Sequence, residues 1–533
     1  MGGRGQRRAI HVASQLEAET PSRNLFTALM TVSFSELTDY LSRLRDENPA
    51  EAIAFARQLS GDDYLESLKA STLIDSGITT DNIEAVKEGV IINRKLLCYR
   101  PDDPYISYNL ANGLHGIAQI TPFHGPDWYS STHELRSEAR FLFNLAARER
   151  NADSELTTQA HTNFGNLLNF SFRWVEAYDA YLEALKYDPS NGVASSGACK
   201  VLRRCLQLGL GDEASLTLAL NRLSDITRRS QDKILRYAGL EALRGINAEN
   251  PEPNDESISP GSNRKRMSEF KEFIKSHRLT LSLSIEGADL ETRRWDNLHF
   301  ESVIMDPDAG HGVPPIFAMF NVIKADYILA RWLAFNAIHK KTPDSGVYSD
   351  TLDYSVYGTT ASLLTLSQRS LIDILDKIAV ASLEYFRIGG AKSACFRTAW
   401  FTKSRDLKKQ ISEAIINGNP ALIALTEIAK DLSDEKGYLK EKHILRRAST
   451  HRFVVLHDFS DHRPQQSTAI DHHQYRDFVS NLIETLKLAR SSIIYFVEMI
   501  IWSETIKRRT LDRNGGHLVP LDVPFHHAIR GDH

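Results

Sequence analysis

A chain of 533 residues is longer than one hydrophobic core usually supports, so we expect two or three domains. Its formal net charge of -4 excludes a basic coat over the whole surface, so any contact with a nucleic acid must be local. The apolar and charged fractions, 42% and 25%, are typical of a soluble globular protein.

The cysteines and the chain's apolar runs predict a reduced, cytoplasmic protein. Cys98, Cys199, Cys205 and Cys395 form no CxxC pair, so we interpret them as small buried residues and not as a disulfide framework. No apolar run is long enough to span a membrane, and the N-terminal MGGRGQRR lacks the apolar region of a signal peptide. The sequence contains no P-loop, GxSxG or Rossmann fingerprint, and we expect no cofactor.

The first half of the chain predicts an array of helices. After a frayed, basic start over residues 1–25, a helical pattern extends through residues 26–248. Ser33, followed by Glu36 three positions later, opens one of these helices, because its hydroxyl can accept from a free N–H group of the first turn. We therefore assign residues 26–248 to one helical repeat domain.

The clearest repeat unit is HTNFGNLLNFSFRWVEAYDAYLEALKYDPSN, residues 161–191. Its small residues would let two helices approach closely, its aromatic residue would fill the groove beside them, and its proline would end the second helix. The residues at these positions resemble a tetratricopeptide repeat (TPR): Gly165, Ala177, Tyr181, Ala184 and Pro189. One unit cannot bury its own apolar face, so we expect neighbouring units to stack on it.

Residues 249–313 predict a linker and a small connecting segment. The first part is rich in Pro, Asp and Ser, which favours an irregular chain. In RLTLSLSI, residues 278–285, leucine and isoleucine alternate with polar residues, a pattern that predicts a β-strand. The partner of this strand is open, and Phe453–Leu456 is one possibility.

A helical bundle is predicted over residues 314–510, with a C-terminal tail over 511–533. Its last long helix is expected to run from about Ile470 to Arg508, with apolar residues at helical spacing on one face. Glu498 interrupts that helix and either partners a buried group or faces solvent. The predicted fold class is mostly all-α, with a minor β element near 279–285.

The stretch Leu439–Asp458 holds a local concentration of basic residues in an otherwise slightly acidic chain: Lys440, Lys442, His443, Arg446, Arg447, His451, Arg452 and His457. Histidine can accept or donate a proton near neutral pH, and arginine can hold a phosphate oxygen through paired hydrogen bonds. Five residues of a helix turn a side chain by roughly 140°, so Arg446 and His451 would not share one helix face. Either the helix is irregular there, or a second copy of the chain completes the site.

From Phe317 onward the chain resembles the HEPN superfamily, in particular members that carry TPR repeats on the N-terminal side. The resemblance covers the last third to two-fifths of the chain and rests on five segments in order: FNVIKADYILARWL (320–333), LDYSVYG (352–358), LIDILDKIAVASLEYF (371–386), NPALIALTEIAKDL (419–432) and LRRASTHRFVVLHD (445–458). HEPN ribonucleases carry an Arg, a small polar residue and, a few residues later, a His. Arg446 and His451 match the Arg and the His, and Arg447 stands where the family usually has Asn, Asp or His.

The resemblance implies a metal-independent endoribonuclease with Arg446 and His451 as catalytic residues. Arg447, Arg452 and Lys442 would bind the RNA backbone. The resemblance further implies a homodimer through the bundle, a protein or peptide partner for the repeats, and a role in antiphage defence or a toxin system.

Two alternatives stay open at this point. Some HEPN domains lack the motif and serve as binding or dimerisation units, and TPR arrays mostly bind proteins, so a non-catalytic module is the second hypothesis. Several residues after the basic stretch would suit zinc, but their spacing matches no known ligand motif, so no metal is predicted: His457, Asp458, Asp461, His462, His472 and His473.

Overall fold

The computed structural model describes residues 33–122, 128–149, 152–210, 212–249, 268–286, 295–304, 312–433, 437–440, 442, 453–459, 467, 469–513 and 521–522. Within these residues the protein is mostly helical with two small sheets, which confirms the predicted fold class. The chain divides into two compact units, Met1–Asn163 with Ile234–Arg244, and Phe164–Lys233 with Gly245–His533. This division falls inside the helical repeat region and does not coincide with the boundary predicted at residue 248.

The first unit is built from consecutive helices that pack along one another. Ser33 begins the first of them as predicted: its hydroxyl accepts from the Glu36 N–H at 3.3 Å, and the Glu36 carboxylate accepts from the Ser33 N–H at 3.0 Å. The reciprocal pair satisfies two N–H groups that a helix start leaves free. The helices are α1 (Phe34–Glu47), α2 (Pro49–Gln58), α3 (Asp63–Thr79), α4 (Ile83–Tyr99), α5 (Pro104–Ile120), α6 (Trp128–Arg148) and the first part of α7 (Ser154–Phe170).

The second unit begins with the predicted repeat. The helices are the end of α7, then α8 (Trp174–Tyr187), α9 (Gly192–Gln207), α10 (Glu213–Arg229) and α11 (Gln231–Glu249), whose middle part belongs to the first unit. The ring of Tyr181 on α8 lies between Gly165 of α7 and Gly197 of α9. A Cβ atom on Gly165 would lie 2.6 Å from Tyr181 Cε1, and one on Gly197 would lie 2.5 Å from Tyr181 Cζ. The small and aromatic positions of the repeat therefore have the packing role that the sequence predicts.

The rest of the second unit is a helical bundle with short strands beside it. The elements are α12 (Glu269–Ser276), β1 (Ser302–Val303), α13 (Pro315–His339), β2 (Ser355–Val356), α14 (Thr359–Tyr385), α15 (Lys409–Ile416), α16 (Pro420–Ser433), β3 (Phe453–His457), β4 (Ile470–Gln474), α17 (Tyr475–Arg513) and β5 (Leu521–Asp522). One hydrophobic core joins α8 and α9 to α13, α14, α16 and α17. None of the helices that the structure describes is long and apolar enough to cross a lipid bilayer.

The minor β structure lies elsewhere than predicted. β3 is the central strand of a three-stranded sheet, antiparallel to β2 and parallel to β4, and β1 pairs with β5. The last helix therefore begins at Tyr475 and not at Ile470, because Ile470–Gln474 pairs with β3 along its length.

The predicted strand over residues 279–285 is wrong. Its polar residues Thr280, Ser282 and Ser284 are as fully buried as its leucines, so the alternation does not separate a solvent-exposed face from a buried face. The backbone bonds to side chains instead of to a neighbouring strand. The Leu281 N–H donates to Asp296 at 2.8 Å, and the Thr280 carbonyl accepts from Arg490 Nε at 3.0 Å.

Candidate functional site

The predicted site lies between two well-defined flanks. Arg446, Arg447, His451 and Arg452 fall outside the described residues, so their roles stay predictions. The N-terminal flank is formed by residues 437–440 with Lys442, and the C-terminal flank begins at Phe453.

The N-terminal flank is bonded to α16 and α17. The Leu439 N–H donates to the Asp431 carbonyl at 3.2 Å, and a Cβ on Gly437 would lie 2.1 Å from that same oxygen, so only glycine fits there. Lys442 Nζ donates to Glu484 at 2.9 Å and to Asn481 at 3.1 Å, and its side chain is 8% exposed. Because this ion pair already engages the buried ammonium of Lys442, we do not include Lys442 among the RNA-binding residues proposed below.

The C-terminal flank is the central strand of the sheet. The Phe453 N–H donates to the Ala469 carbonyl at 2.8 Å, and β3 is then paired on one side with β4 along its whole length. His451 precedes this strand by two positions. The chain direction immediately after the predicted histidine is therefore fixed by the sheet.

Two histidines face each other at the other end of β3. His457 Nε2 lies 2.8 Å from His472 Nδ1, and His457 Nδ1 lies 3.0 Å from the Asp353 carbonyl. A carbonyl only accepts, so His457 Nδ1 carries a proton; in the neutral ring Nε2 then accepts, and His472 Nδ1 donates. Burial, together with the neighbouring His457, lowers the pKa of His472. Between the two rings one nitrogen thus donates and the other accepts, and the lowered pKa of His472 disfavours a positive charge on that ring.

The histidine-rich segment does not assemble a metal site from the residues that can be described. Asp461 and His462 lie outside them. Among the residues the structure describes, no group of three or more His, Cys, Asp or Glu side chains is placed to hold a metal ion.

The loop before α14 lies beside β3 and is acidic and aromatic. Asp344 accepts from the Thr359 N–H at 2.7 Å and thereby caps α14. Asp353 accepts from Ser355 and Thr351, and these hydrogen bonds lower the pKa of Asp353 to about 2. The loop also exposes three tyrosine rings: Tyr348 pairs with Tyr357 of the same loop, and Tyr354 contacts the exposed Phe459, which follows β3.

Glu498 is resolved as a buried partner. It is 4% exposed, and it accepts from the indole N–H of Trp174, the first residue of α8, at 2.7 Å. Burial raises the pKa of Glu498, while the charge of Arg204 and the bond from Trp174 oppose that rise. The repeat helices and the bundle are thus joined by buried polar contacts as well as by apolar packing.

The sequence did not indicate one further cluster, centred on Arg173. Its partners Asp431 and Tyr438 are 258 and 265 positions away. The local signal, an arginine directly before a tryptophan at a helix start, has no specific meaning by itself, and only the fold brings the three residues together.

Comparison with known proteins places the bundle beside a family of helical domains. Residues 307–503 match the family model described as LA2681-like HEPN. No curated protein and no solved structure matches the chain. The matched range begins after the repeat helices and includes both flanks and the stretch between them, so it supports a HEPN domain over these residues; the helices before it are consistent with repeats.

Proposed function

We propose that the protein is a metal-independent endoribonuclease of the HEPN type, with Arg446 and His451 as its catalytic residues. The observation that carries the proposal is the HEPN match over residues 307–503, which contains an arginine and a histidine at the spacing of the family's motif. HEPN domains are commonly ribonucleases. Arg447 and Arg452 are the proposed contacts to the RNA backbone.

The proposed chemistry is attack by the RNA's own 2′-hydroxyl on the adjacent phosphorus. His451 takes the proton of that hydroxyl, the new P–O2′ bond forms and the P–O5′ bond breaks. Arg446 stabilises the negative charge that develops on the phosphorane-like transition state. The products are a 2′,3′-cyclic phosphate and a 5′-hydroxyl, which takes up a proton as it leaves.

We further propose a homodimer in which both copies of Arg446 and His451 line one cleft. Two copies of His451 would supply an acceptor for the 2′-hydroxyl proton and a donor for the leaving oxygen. The repeat helices would bind a protein or peptide that controls the nuclease, in antiphage defence or a toxin system.

The test is incubation of purified wild-type protein and His451→Ala with total RNA and with tRNA, in EDTA and without divalent metal. We expect wild type to leave 2′,3′-cyclic phosphate ends. Removal of a general base should lower the rate by about 10²–10⁴-fold. The matched control is His457→Asn, which alters a histidine on the adjacent strand β3 that contacts His472, and it should retain cleavage.

Cleavage that disappears with EDTA and survives His451→Ala would contradict the proposal. The non-catalytic alternative is favoured by one specific observation, Arg447 in place of the family's small polar residue. Wild-type protein that binds RNA or a protein partner but cuts no RNA, with or without that partner, would support this alternative.

A further inference from the structure

Arg173 lies at the tight turn between α7 and α8 and is completely buried. Its guanidinium is a fork with three partners. Nη1 donates to the carboxylate of Asp431 on α16, Nη2 donates to the Tyr438 hydroxyl at 2.6 Å, and Nε donates to Glu176 at 2.8 Å. Asp431 is completely buried as well, so this ion pair is isolated from solvent.

The backbone of the turn fixes the position from which the Arg173 side chain extends. Phe172 adopts a left-handed conformation with φ of 60°, and the Arg173 N–H donates to the Leu168 carbonyl at 2.8 Å. Burial alone would lower the pKa of Arg173, but the carboxylates of Glu176 and Asp431 outweigh it and raise the pKa well above its ordinary value. The group is therefore a permanent cation at a fixed place.

The partners of Arg173 hold the chain that leads into the predicted motif. Tyr438 is the second residue of the N-terminal flank and lies eight positions before Arg446 (446 − 438 = 8). Its hydroxyl contacts Arg173, and its ring meets Phe164 of α7 edge-on, with centroids 5.3 Å apart. Asp431 contributes twice, because its side chain binds Arg173 and its backbone carbonyl accepts from the next residue of the flank, Leu439.

A buried ion pair is weak evidence for stability, since apolar residues of the same size often stabilise a fold equally well. What apolar residues cannot reproduce is the planar fork of arginine, which fixes several oxygen partners at set angles. Arg173 uses that fork to hold two elements, α16 and the flank, at one point of the repeat. The geometry therefore fits a role in positioning α16 and the flank more than a role in net stability.

We propose that Arg173 is a positioning residue for the candidate nuclease motif, acting through Asp431 and Tyr438 to set the residues from which the motif stretch starts. This inference rests on the proposed ribonuclease function. It also gives the repeat helices a direct route to the nuclease: a partner that shifts α7 against α8 moves the fork, and with it the flank.

The test compares two single-atom deletions on the same network. Tyr438→Phe removes only the hydroxyl and keeps the ring against Phe164. The matched control is Tyr495→Phe on α17, whose hydroxyl accepts from the Val175 N–H at 3.1 Å and lies 3.5 Å from Glu176. Tyr495 is buried in the core and is not part of the flank, so its loss removes a hydroxyl beside Glu176 and leaves the contact between Arg173 and Tyr438 in place.

We expect Tyr438→Phe to lower kcat by roughly 10- to 100-fold with KM and Tm little changed, because a misplaced catalytic group costs rate more than binding. Hydrogen–deuterium exchange of peptides covering residues 437–442 should increase in the same variant. Tyr495→Phe should lower Tm without changing kcat or this exchange. Arg173→Lys, which keeps the charge and loses the fork, should behave like Tyr438→Phe and not like wild type.

The two readouts separate failure of the inference from failure of the proposed function. If wild type cuts RNA and Tyr438→Phe cuts it equally fast, or if Tyr495→Phe lowers kcat as much, positioning by this network is overturned. If wild type cuts no RNA, the proposed function fails, and the exchange measurement alone decides whether the network holds the flank. Unchanged exchange in Tyr438→Phe would then overturn the inference, and increased exchange would support it.

Discussion

The clamp of Tyr181 between two glycines allows a quantitative prediction about the repeat that carries Arg173. A Cβ on Gly165 would approach the Tyr181 ring to 2.6 Å, whereas carbon atoms in contact lie about 3.5–4.0 Å apart, so ring or helix must shift by roughly 1 Å. The ring cannot retreat, because Gly197 limits it from the other side. Such overpacking typically costs about 1–3 kcal/mol.

The intrinsic helix propensity of alanine opposes this cost by about 0.8–1.0 kcal/mol. We therefore expect Gly165→Ala to lower the free energy of unfolding by about 0–2 kcal/mol, in contrast to the gain expected where the new Cβ meets no other atom. The matched control is Gly245→Ala in α11, where no atom lies within 4 Å of the new Cβ and the residue is exposed. There the propensity acts alone, and we expect a gain of roughly 0.5–1 kcal/mol.

The assay is equilibrium unfolding in urea, followed by far-ultraviolet circular dichroism, on both variants and on Gly165→Ala with Tyr181→Leu. Removing the ring should relieve the clash, so the double variant should lose less stability than the sum of the two single changes, by at least about 0.5 kcal/mol. If Gly165→Ala is as stable as Gly245→Ala, or if the two changes at the clamp are additive, the packing argument is refuted.

Three further predictions concern charges. Because burial raises the pKa of Glu498, the folded state holds its proton more firmly than the unfolded chain, and the free energy of unfolding falls as pH rises through the folded pKa. In Glu498→Gln, which keeps an acceptor for Trp174, urea unfolding at several pH values should show a smaller decrease in that free energy. Burial lowers the pKa of His115 to about 4, so the free energy of unfolding should decrease by on the order of 3 kcal/mol as pH falls from about 6.5 towards 4. Acid unfolding of His115→Gln should lack this decrease. Arg446→Lys should restore little of the cleavage lost in Arg446→Ala, measured on the same RNA, because an ammonium cannot reproduce the planar two-donor grip.

The parts of the fold that the sequence predicted correctly rest on short-range signals. Ser33 and Glu36 are three positions apart and form their capping box within one turn. Gly165 and Tyr181 belong to one helical hairpin, so the spacing of small and aromatic residues already describes their contact. Such patterns can be read without knowledge of the rest of the chain.

The errors have a common physical cause, which is contact with elements that are distant in the sequence. The alternation over 279–285 predicts a strand only if one face meets solvent, but α13 and α17 bury both faces and supply side-chain partners for the backbone. Similarly, Ile470–Gln474 has the pattern of the start of the last helix, but it pairs with β3, whose partner residues lie 17 positions earlier (470 − 453 = 17). Neither outcome can be derived from local periodicity.

The candidate site likewise combines features that the sequence indicates with contacts that only the fold brings about. The motif of Arg446 and His451 is a sequence signal, and so is the HEPN resemblance that surrounds it. The groups that would position it are not, because Arg173 reaches Asp431 and Tyr438 only after the whole bundle has folded. The sequence pattern indicates the candidate reacting groups, whereas the tertiary structure shows the contacts of the residues that flank them.

The charge distribution around β3 gives these groups a further constraint. The loop beside the strand carries Asp344 and Asp353, Asp458 follows the strand, and burial, with the neighbouring His457, lowers the pKa of His472 at that end. Lys442 is already paired with Glu484. The described residues around the end of β3 therefore present negative charge and aromatic rings to an approaching phosphate. On the proposed function, Arg447 and Arg452 supply the attraction, so the same short segment binds the RNA backbone and cuts it, and small displacements of its flanks would change both.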